Sequence, residues 1–155
     1  MIIVTNPDLS WISGRLSSDD LHVLDRVNIQ VSSQRSITLT HLLASWKAHV
    51  EKLEADLSLS SSDRSAWGVH DLIAALIIRD SIQDGMGALD AALGSRIEKL
   101  LSKIDKLFIS FTEPDALLRL EKVDGRPRGE CGWWWKRIPV AGPAREEAIL
   151  YSGLN

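Results

Sequence analysis

Three consecutive tryptophans stand in the stretch GECGWWWKRIP, and their residue types and surroundings are those of a binding site. Trp and Arg are the residue types most enriched among the few that dominate the energy of protein–protein binding. Four cationic side chains lie close to the run in sequence and add positive charge to the large rings. The candidate partner-binding residues are therefore Trp133, Trp134, Trp135, Arg126, Arg128, Lys136 and Arg137.

The sequence leaves two orientations of the tryptophan run open. In an extended chain successive side chains point to opposite faces, so Trp133 and Trp135 would dock on the helices while Trp134 faces outward among the arginines. Alternatively, the segment folds back across the helices as a lid that buries two rings and part of the third. Each ring buries about 150–250 Å², so leaving all three in water would forfeit stability.

Nucleic acid is an alternative partner, because aromatic rings on a basic loop stack on unpaired bases. Residues 122–137 carry five cationic and two acidic side chains, a local charge of +3. The whole chain is nevertheless acidic, with 18 Lys+Arg against 21 Asp+Glu, and dedicated nucleic-acid binders usually carry a basic excess. The sequence therefore favours a protein partner and keeps single-stranded nucleic-acid binding through the Trp/Arg-rich segment as an alternative.

His70 and Asp71, in VHDL, are residue types that bind metal ions. The dipeptide resembles the metal-binding pair of the HD-domain phosphohydrolases, which are all-helical enzymes that hold divalent metals with His, His-Asp and a later Asp. In that family the pair usually follows an apolar run and precedes a glycine, whereas here it precedes the run LIAALII. The ligands that the resemblance implies are His41, His70, Asp71 and one of Asp105, Asp115 or Asp124.

Asp71 also has a purely structural explanation. A carboxylate in the first turn of a helix is stabilised by the helix dipole by about 0.3–1 kcal/mol. Cys131 has cations nearby in sequence, but no histidine is placed to act as its base. We therefore assign no catalytic residue, no metal ligand and no cofactor, and we keep a metal-dependent phosphohydrolase of HD-like type as an alternative function.

A basic stripe follows one face of the best-defined helix. Arg96, Lys99, Lys103 and Lys106 recur at steps of three, four and three, which places them on one exposed face. Mixed charge on an outer face is normal for a solvated helix. A surface for phosphate or for an acidic partner is the more specific interpretation.

Three segments predict the helices that must position these residues. The first helix starts after an N-cap at Thr38, and the second, apolar nearly all round, covers residues 66–84. The third runs to about Phe111 and carries a regular apolar seam, as expected for a helix that packs on a core. The seam residues are Leu89, Leu93, Ile97, Leu100, Ile104, Leu107 and Phe111, with Leu101 and Phe108 beside them.

Shorter elements are predicted at both ends of the chain. SSDDLHVLDRV is typical of a capped short helix, and residues 27–31, VNIQV, alternate like a strand, with Ile2–Thr5 as a candidate partner. Thr112 and Asp115 are placed as a capping box around Pro114. A last short helix is predicted to begin at Pro143.

The sequence as a whole predicts a mainly α protein, a bundle of about four to five helices with a minor β element near the N-terminus. Residues 1–123 form the helical domain, and residues 124–155 form an irregular Trp-rich extension packed on it. One cysteine, no basic leader and no apolar run of membrane-spanning length lead us to expect a cytoplasmic protein. The expected function is a non-enzymatic protein-binding module, such as a small inhibitor, an immunity-type protein or a complex subunit.

Overall fold

The computed structural model describes residues 9–125 and 131–153 of the chain. These residues form a mainly α-helical fold, as the sequence predicts, with two small antiparallel sheets, of which only the N-terminal one was predicted. The elements in chain order are α1 (Ser10–Ser13), α2 (Ser18–Arg26), β1 (Asn28–Ser32), β2 (Arg35–Thr38), α3 (Leu39–Ala55), α4 (Val69–Met86), α5 (Ala91–Ser110), β3 (Thr112–Pro114), α6 (Arg119–Asp124), β4 (Arg137–Pro139) and α7 (Pro143–Ser152). Two 3-10 turns lie at Asp56–Ser58 and Trp133–Lys136.

The pair of helices α3 and α4 forms the centre of the fold. α3 starts where the sequence predicts, because the Thr38 hydroxyl accepts a hydrogen bond from the backbone N–H of His41 at 3.2 Å. α4 begins later than predicted. The Asp56 carboxylate accepts from the backbone N–H of Trp67 at 2.9 Å, and this contact holds residue 67 outside the helix. Apolar residues lie on most of the surface of α4, and they are buried against α3, α7 and β1.

α5 packs its predicted seam against α3. Asp90 caps the helix by accepting from the backbone N–H of Leu93 at 2.8 Å. Most of the seam is buried, which confirms the helical periodicity, although Leu107 is only half-buried. Leu89, which the sequence assigns to this helix, lies before its N-cap and is also half-buried. Phe108, which the sequence places at the edge of the stripe, is instead fully buried and contacts the Trp46 ring at 5.4 Å between centroids.

The N-terminal β element is a hairpin. β1 pairs with β2 in an antiparallel register that places Ile29 opposite Ile37. The strand itself is confirmed, but its partner within the described residues is β2, which the sequence analysis missed; Ile2–Thr5 lies outside the described residues. Gly85 of α4 lets the hairpin approach, because a Cβ there would stand 2.9 Å from the Ile29 side chain.

The segment 131–153 is more regular than the predicted extension, since it holds a 3-10 turn, a strand and a helix. β4 pairs with β3 in antiparallel fashion, with Glu113 opposite Ile138. α7 begins at Pro143, as predicted, and packs on α6 and α4. Within the described ranges, no helix is long and apolar enough to cross a membrane.

The predicted capping box between Thr112 and Asp115 is wrong. The Thr112 hydroxyl donates to the Phe108 carbonyl at 2.8 Å, so it completes the end of α5 instead. Asp115 caps the next helix alone, because its carboxylate accepts from the backbone N–H groups of Arg119 at 3.1 Å and Leu120 at 2.9 Å. The C-terminal end of α5 and the N-terminal end of α6 are therefore capped by different side chains, Thr112 and Asp115.

Candidate functional site

The tryptophan run forms a 3-10 turn and is not extended. Successive side chains of a 3-10 turn are about 120° apart, because there are 3.0 residues per turn, so the alternation of a strand does not apply. Trp134 and Trp135 are buried, with 5% and 1% of their surface exposed, while Trp133 is 37% exposed. The prediction that Trp134 faces outward while Trp133 docks with Trp135 is therefore wrong.

The two buried indoles share one acceptor, the carboxylate of Asp80 on α4. Trp134 Nε1 donates to Oδ1 at 2.8 Å, and Trp135 Nε1 lies 2.9 Å from Oδ1 and 3.0 Å from Oδ2. A buried indole N–H needs an acceptor, and a charged acceptor makes a stronger hydrogen bond than a neutral one. Asp80 thus fastens the tryptophan run to the central helix.

Arg79 extends this contact into a network of rings and charges. Its guanidinium lies over the Trp134 ring, 4.2 Å from the centroid, in a cation–π arrangement. The same group donates to both carboxylate oxygens of Asp105, at 3.1 and 3.0 Å. Asp105 Oδ1 also accepts from Trp46 Nε1 at 3.0 Å. Arg79 is buried, so these contacts compensate a charge that would otherwise be expensive to bury.

Gly132 makes room for the Trp134 ring. A Cβ at this position would stand 2.2 Å from two atoms of the indole, so any larger residue would displace the ring from its place beneath Arg79. The backbone N–H of Trp135 donates to the Gly132 carbonyl at 3.2 Å and closes the 3-10 turn. The glycine before the run is therefore part of the same arrangement.

Two cations of the predicted site, Arg137 and Lys136, make different contacts in the structure. Arg137 caps the C-terminal end of α5. It donates to the Thr112 hydroxyl and carbonyl, each at 2.8 Å, and to the Ile109 carbonyl at 3.4 Å. Such a contact satisfies carbonyl groups at the negative end of the helix. Lys136 pairs with Glu121 at 2.7 Å, and this hydrogen bond raises the pKa of the lysine. Arg126 and Arg128 lie outside the described residues.

Trp133 is the member of the run that is left facing solvent. Its ring meets the edge of Trp134, at 5.6 Å between centroids, and contacts Phe108 at 6.3 Å. We call the exposed face of this ring the Trp133 surface.

His70 and Asp71, the pair that resembles the HD-domain metal site, both make contacts within the fold. Asp71 Oδ2 accepts from the backbone N–H of Gly68 at 3.0 Å, and Glu147 of α7 accepts from that of Val69 at 2.9 Å, so both carboxylates cap α4. His70 is exposed and stacks on Tyr151 at 5.9 Å.

The later acids that the resemblance names are also engaged: Asp105 pairs with Arg79, and Asp115 caps α6. Among residues 9–125 and 131–153, no group of three or more His, Cys, Asp or Glu side chains is placed to hold a metal ion. The arrangement of the described residues therefore gives the HD-like alternative no support beyond the dipeptide itself.

The sequence analysis missed two groups of residues. Asp80 follows the apolar run of α4, but nothing nearby in sequence marks it as the acceptor for two indoles. Trp11 and Arg15, from α1 and the turn after it, line pockets beside α5 together with members of the basic stripe. They meet the α5 residues only in the folded chain, and local sequence patterns do not contain that arrangement.

Comparison of the chain with protein-family models, with curated proteins and with solved structures gives no match. Function is therefore inferred from the geometry of the side chains. Trp133 carries the most information, because it remains exposed while its two neighbours are engaged within the fold.

Proposed function

We propose that this protein is a non-enzymatic protein-binding module and that its partner contacts the Trp133 surface. The observation that supports the proposal is the exposure of Trp133, at 37%, while Trp134 and Trp135 are buried. Large aromatic side chains contribute strongly to binding when a partner covers them. An inhibitor, an immunity-type protein or a complex subunit, acting in the cytoplasm, is the finer form of the proposal.

The rigid support of Trp133 favours binding. Its ring rests on Trp134, which is itself hydrogen-bonded to Asp80 and covered by Arg79. A side chain that is already ordered loses little conformational entropy when a partner covers it. The contacts beneath Trp133 therefore hold the exposed ring in a fixed position in which a partner can cover it.

A protein partner fits this surface better than nucleic acid does. Only one ring of the run is exposed, whereas single-strand binding uses several rings on which successive bases stack. Arg137 is occupied at the end of α5, and Lys136 is paired with Glu121. The rings that contact Trp133 are those of Trp134 and Phe108.

Site-specific photo-crosslinking tests the proposal. Benzoylphenylalanine at position 133 should crosslink one protein from an extract of the source organism, identified by mass spectrometry. The same group at Val23, an exposed apolar residue on α2, is the control and should not capture that protein. The purified partner is then titrated by calorimetry against the wild type and Trp133→Ala.

Trp133→Ala should weaken binding by about 2 kcal/mol or more, the range of an interface hot spot. Its melting temperature should stay close to that of the wild type. Trp134→Ala is unsuitable as a binding variant because it removes a buried ring and its contacts. Equal crosslinking from positions 133 and 23, or unchanged affinity of Trp133→Ala for the purified protein, would contradict the proposal.

A further inference from the structure

A second surface lies between α1 and α5, away from the tryptophan run. Two adjoining pockets of about 220 and 170 Å³ share Arg15 and Lys103 and are open to solvent. Their apolar floor includes Leu100 in the first pocket, and Ile104 and Leu107 in the second. We call these two pockets together the α1–α5 cleft.

Positive charge dominates the rim of the cleft. Arg15, Lys99 and Lys103 are exposed, and none of them forms an ion pair with a residue that the structure describes. Arg96 on the same rim is compensated, since it donates to both oxygens of Asp20 at 3.1 and 2.8 Å. Like charges gathered around one cleft repel each other, and an anionic ligand would relieve that repulsion.

The Trp11 ring lines the second pocket together with Lys47 and Glu51. Lys47 lies over this ring at 5.9 Å and is paired with Glu51 at 2.6 Å. Nε1 of Trp11 is buried and has no hydrogen-bond acceptor among the described residues. Because solvent does not reach this atom, a ligand in the pocket would contact the ring and not the N–H. Trp11 therefore adds apolar surface to the cleft.

We propose that the α1–α5 cleft binds a short acidic segment of a partner protein that also carries apolar side chains. The ligand's carboxylates would face Arg15, Lys99 and Lys103, and its apolar side chains would enter the two pockets, one of them against the Trp11 ring. The cleft uses none of the residues of the Trp133 surface, so it is a second site, independent of the proposed function.

The dimensions and composition of the cleft favour a peptide. Each pocket is smaller than the roughly 300–1,000 Å³ typical of a small-molecule site, but each has room for one side chain. The α5 residues from Arg96 to Leu107 span about 16 Å at 1.5 Å per residue, the length of about five residues of extended chain. The floor is aliphatic apart from Trp11, which provides no platform for successive bases.

Fluorescence polarisation of the full chain tests the proposal. The probe is a fluorescein-labelled peptide of alternating Glu and Leu, measured at low salt. Peptides of Glu alone and of alternating Lys and Leu, and a single-stranded RNA, serve as comparisons. We expect the Glu-Leu peptide to bind most tightly, because it alone combines both features of the cleft.

Two charge reversals on α5 form a matched pair. Lys103→Glu changes a residue that lines both pockets, and it should weaken binding of the Glu-Leu peptide about tenfold, as expected for a reversed charge that faces the ligand. Lys106→Glu makes the same change on the same helix outside both pockets, and it should change the affinity less than about twofold. Trp133→Ala should bind the peptide as the wild type does.

Several outcomes would overturn the proposal. Equal losses from Lys103→Glu and Lys106→Glu would mean that the peptide responds only to overall charge. Equal affinity for the peptide of Glu alone would mean that the apolar floor is not used. Tighter binding of the RNA, lost in Lys103→Glu, would make the cleft a nucleic-acid surface. Absence of binding to the Glu-Leu peptide at low salt would also refute it.

Discussion

Replacing Asp80 by alanine should detach the tryptophan run from α4. The substitution removes the acceptor of two buried indole N–H groups, those of Trp134 and Trp135. A hydrogen bond to a charged group contributes about 1.5–3 kcal/mol, and a buried donor left without a partner is penalised by a similar amount. The expected loss in the free energy of unfolding is therefore about 3–6 kcal/mol, a large part of the roughly 5–15 kcal/mol typical of a domain.

Urea unfolding followed by far-UV circular dichroism measures this loss. With a slope of about 2 kcal/mol per M, the unfolding midpoint should fall by roughly 1.5–3 M. Trp135→Phe, which keeps a ring but removes the N–H, separates the hydrogen bond from packing. In the Asp80→Ala background, Trp135→Phe should lower the free energy of unfolding by about 1.5–3 kcal/mol less than it does in the wild type. The reason is that the carboxylate that accepts from the Trp135 N–H is already absent.

Asp84→Ala is the matched control. Asp84 lies one turn after Asp80 on α4 and is exposed, so the change in helix propensity is the same and no indole loses its acceptor. The control should change the free energy of unfolding by less than about 0.5 kcal/mol. If Asp80→Ala has an equally small effect, or if its effect adds fully to that of Trp135→Phe, the Asp80 contact does not fasten the run.

Three further changes test other parts of the fold. Ile104→Ala should lower the free energy of unfolding by about 2–5 kcal/mol, because Ile104 is buried in the seam; the exposed Ile109→Ala is its control, and equal urea midpoints for the two variants would refute the seam. Hydrogen bonds from Arg96 lower the pKa of Asp20 below its ordinary value of 3.8, so their stabilisation is present above that pH and is lost as the pH falls through the lower folded value. The difference in melting temperature between the wild type and Asp20→Asn should therefore shrink from about pH 5 to pH 2; a difference that grows would contradict this. Trp11→Phe removes a buried donor that has no acceptor among the described residues, so calorimetry should show an unchanged or higher melting temperature, and a loss above about 2 kcal/mol in the free energy of unfolding would mean that the donor is satisfied.

Features determined by a single segment were predicted well. The start of α3 follows from one hydroxyl at Thr38, and the start of α7 follows from the fixed backbone angle of Pro143. The buried face of α5 follows from spacing alone. These features can be predicted without the rest of the chain, because the residues that determine each of them lie within the same segment.

The arrangement of the tryptophan run could not be predicted in the same way. Three adjacent rings have no spacing that distinguishes a strand from a 3-10 turn. The contact that decides the outcome is made by Asp80, which lies 54 residues before Trp134 in the chain. β2 was missed for a related reason, since its sequence RSIT is short and becomes a strand by pairing with β1.

The caps of α4 have a consequence for how the chain is made. Glu147, which accepts from the backbone N–H of Val69, lies 78 residues further along the chain. At a synthesis rate of about 5–20 residues per second, the ribosome needs roughly 4–16 s to travel that distance. For most of that interval the apolar surface of α4 has neither α7 nor the tryptophans against it, since Trp134 follows Val69 by 65 residues. We expect the nascent chain to be most prone to aggregation and to chaperone binding in those seconds, and to leave that state only when its last helix has emerged.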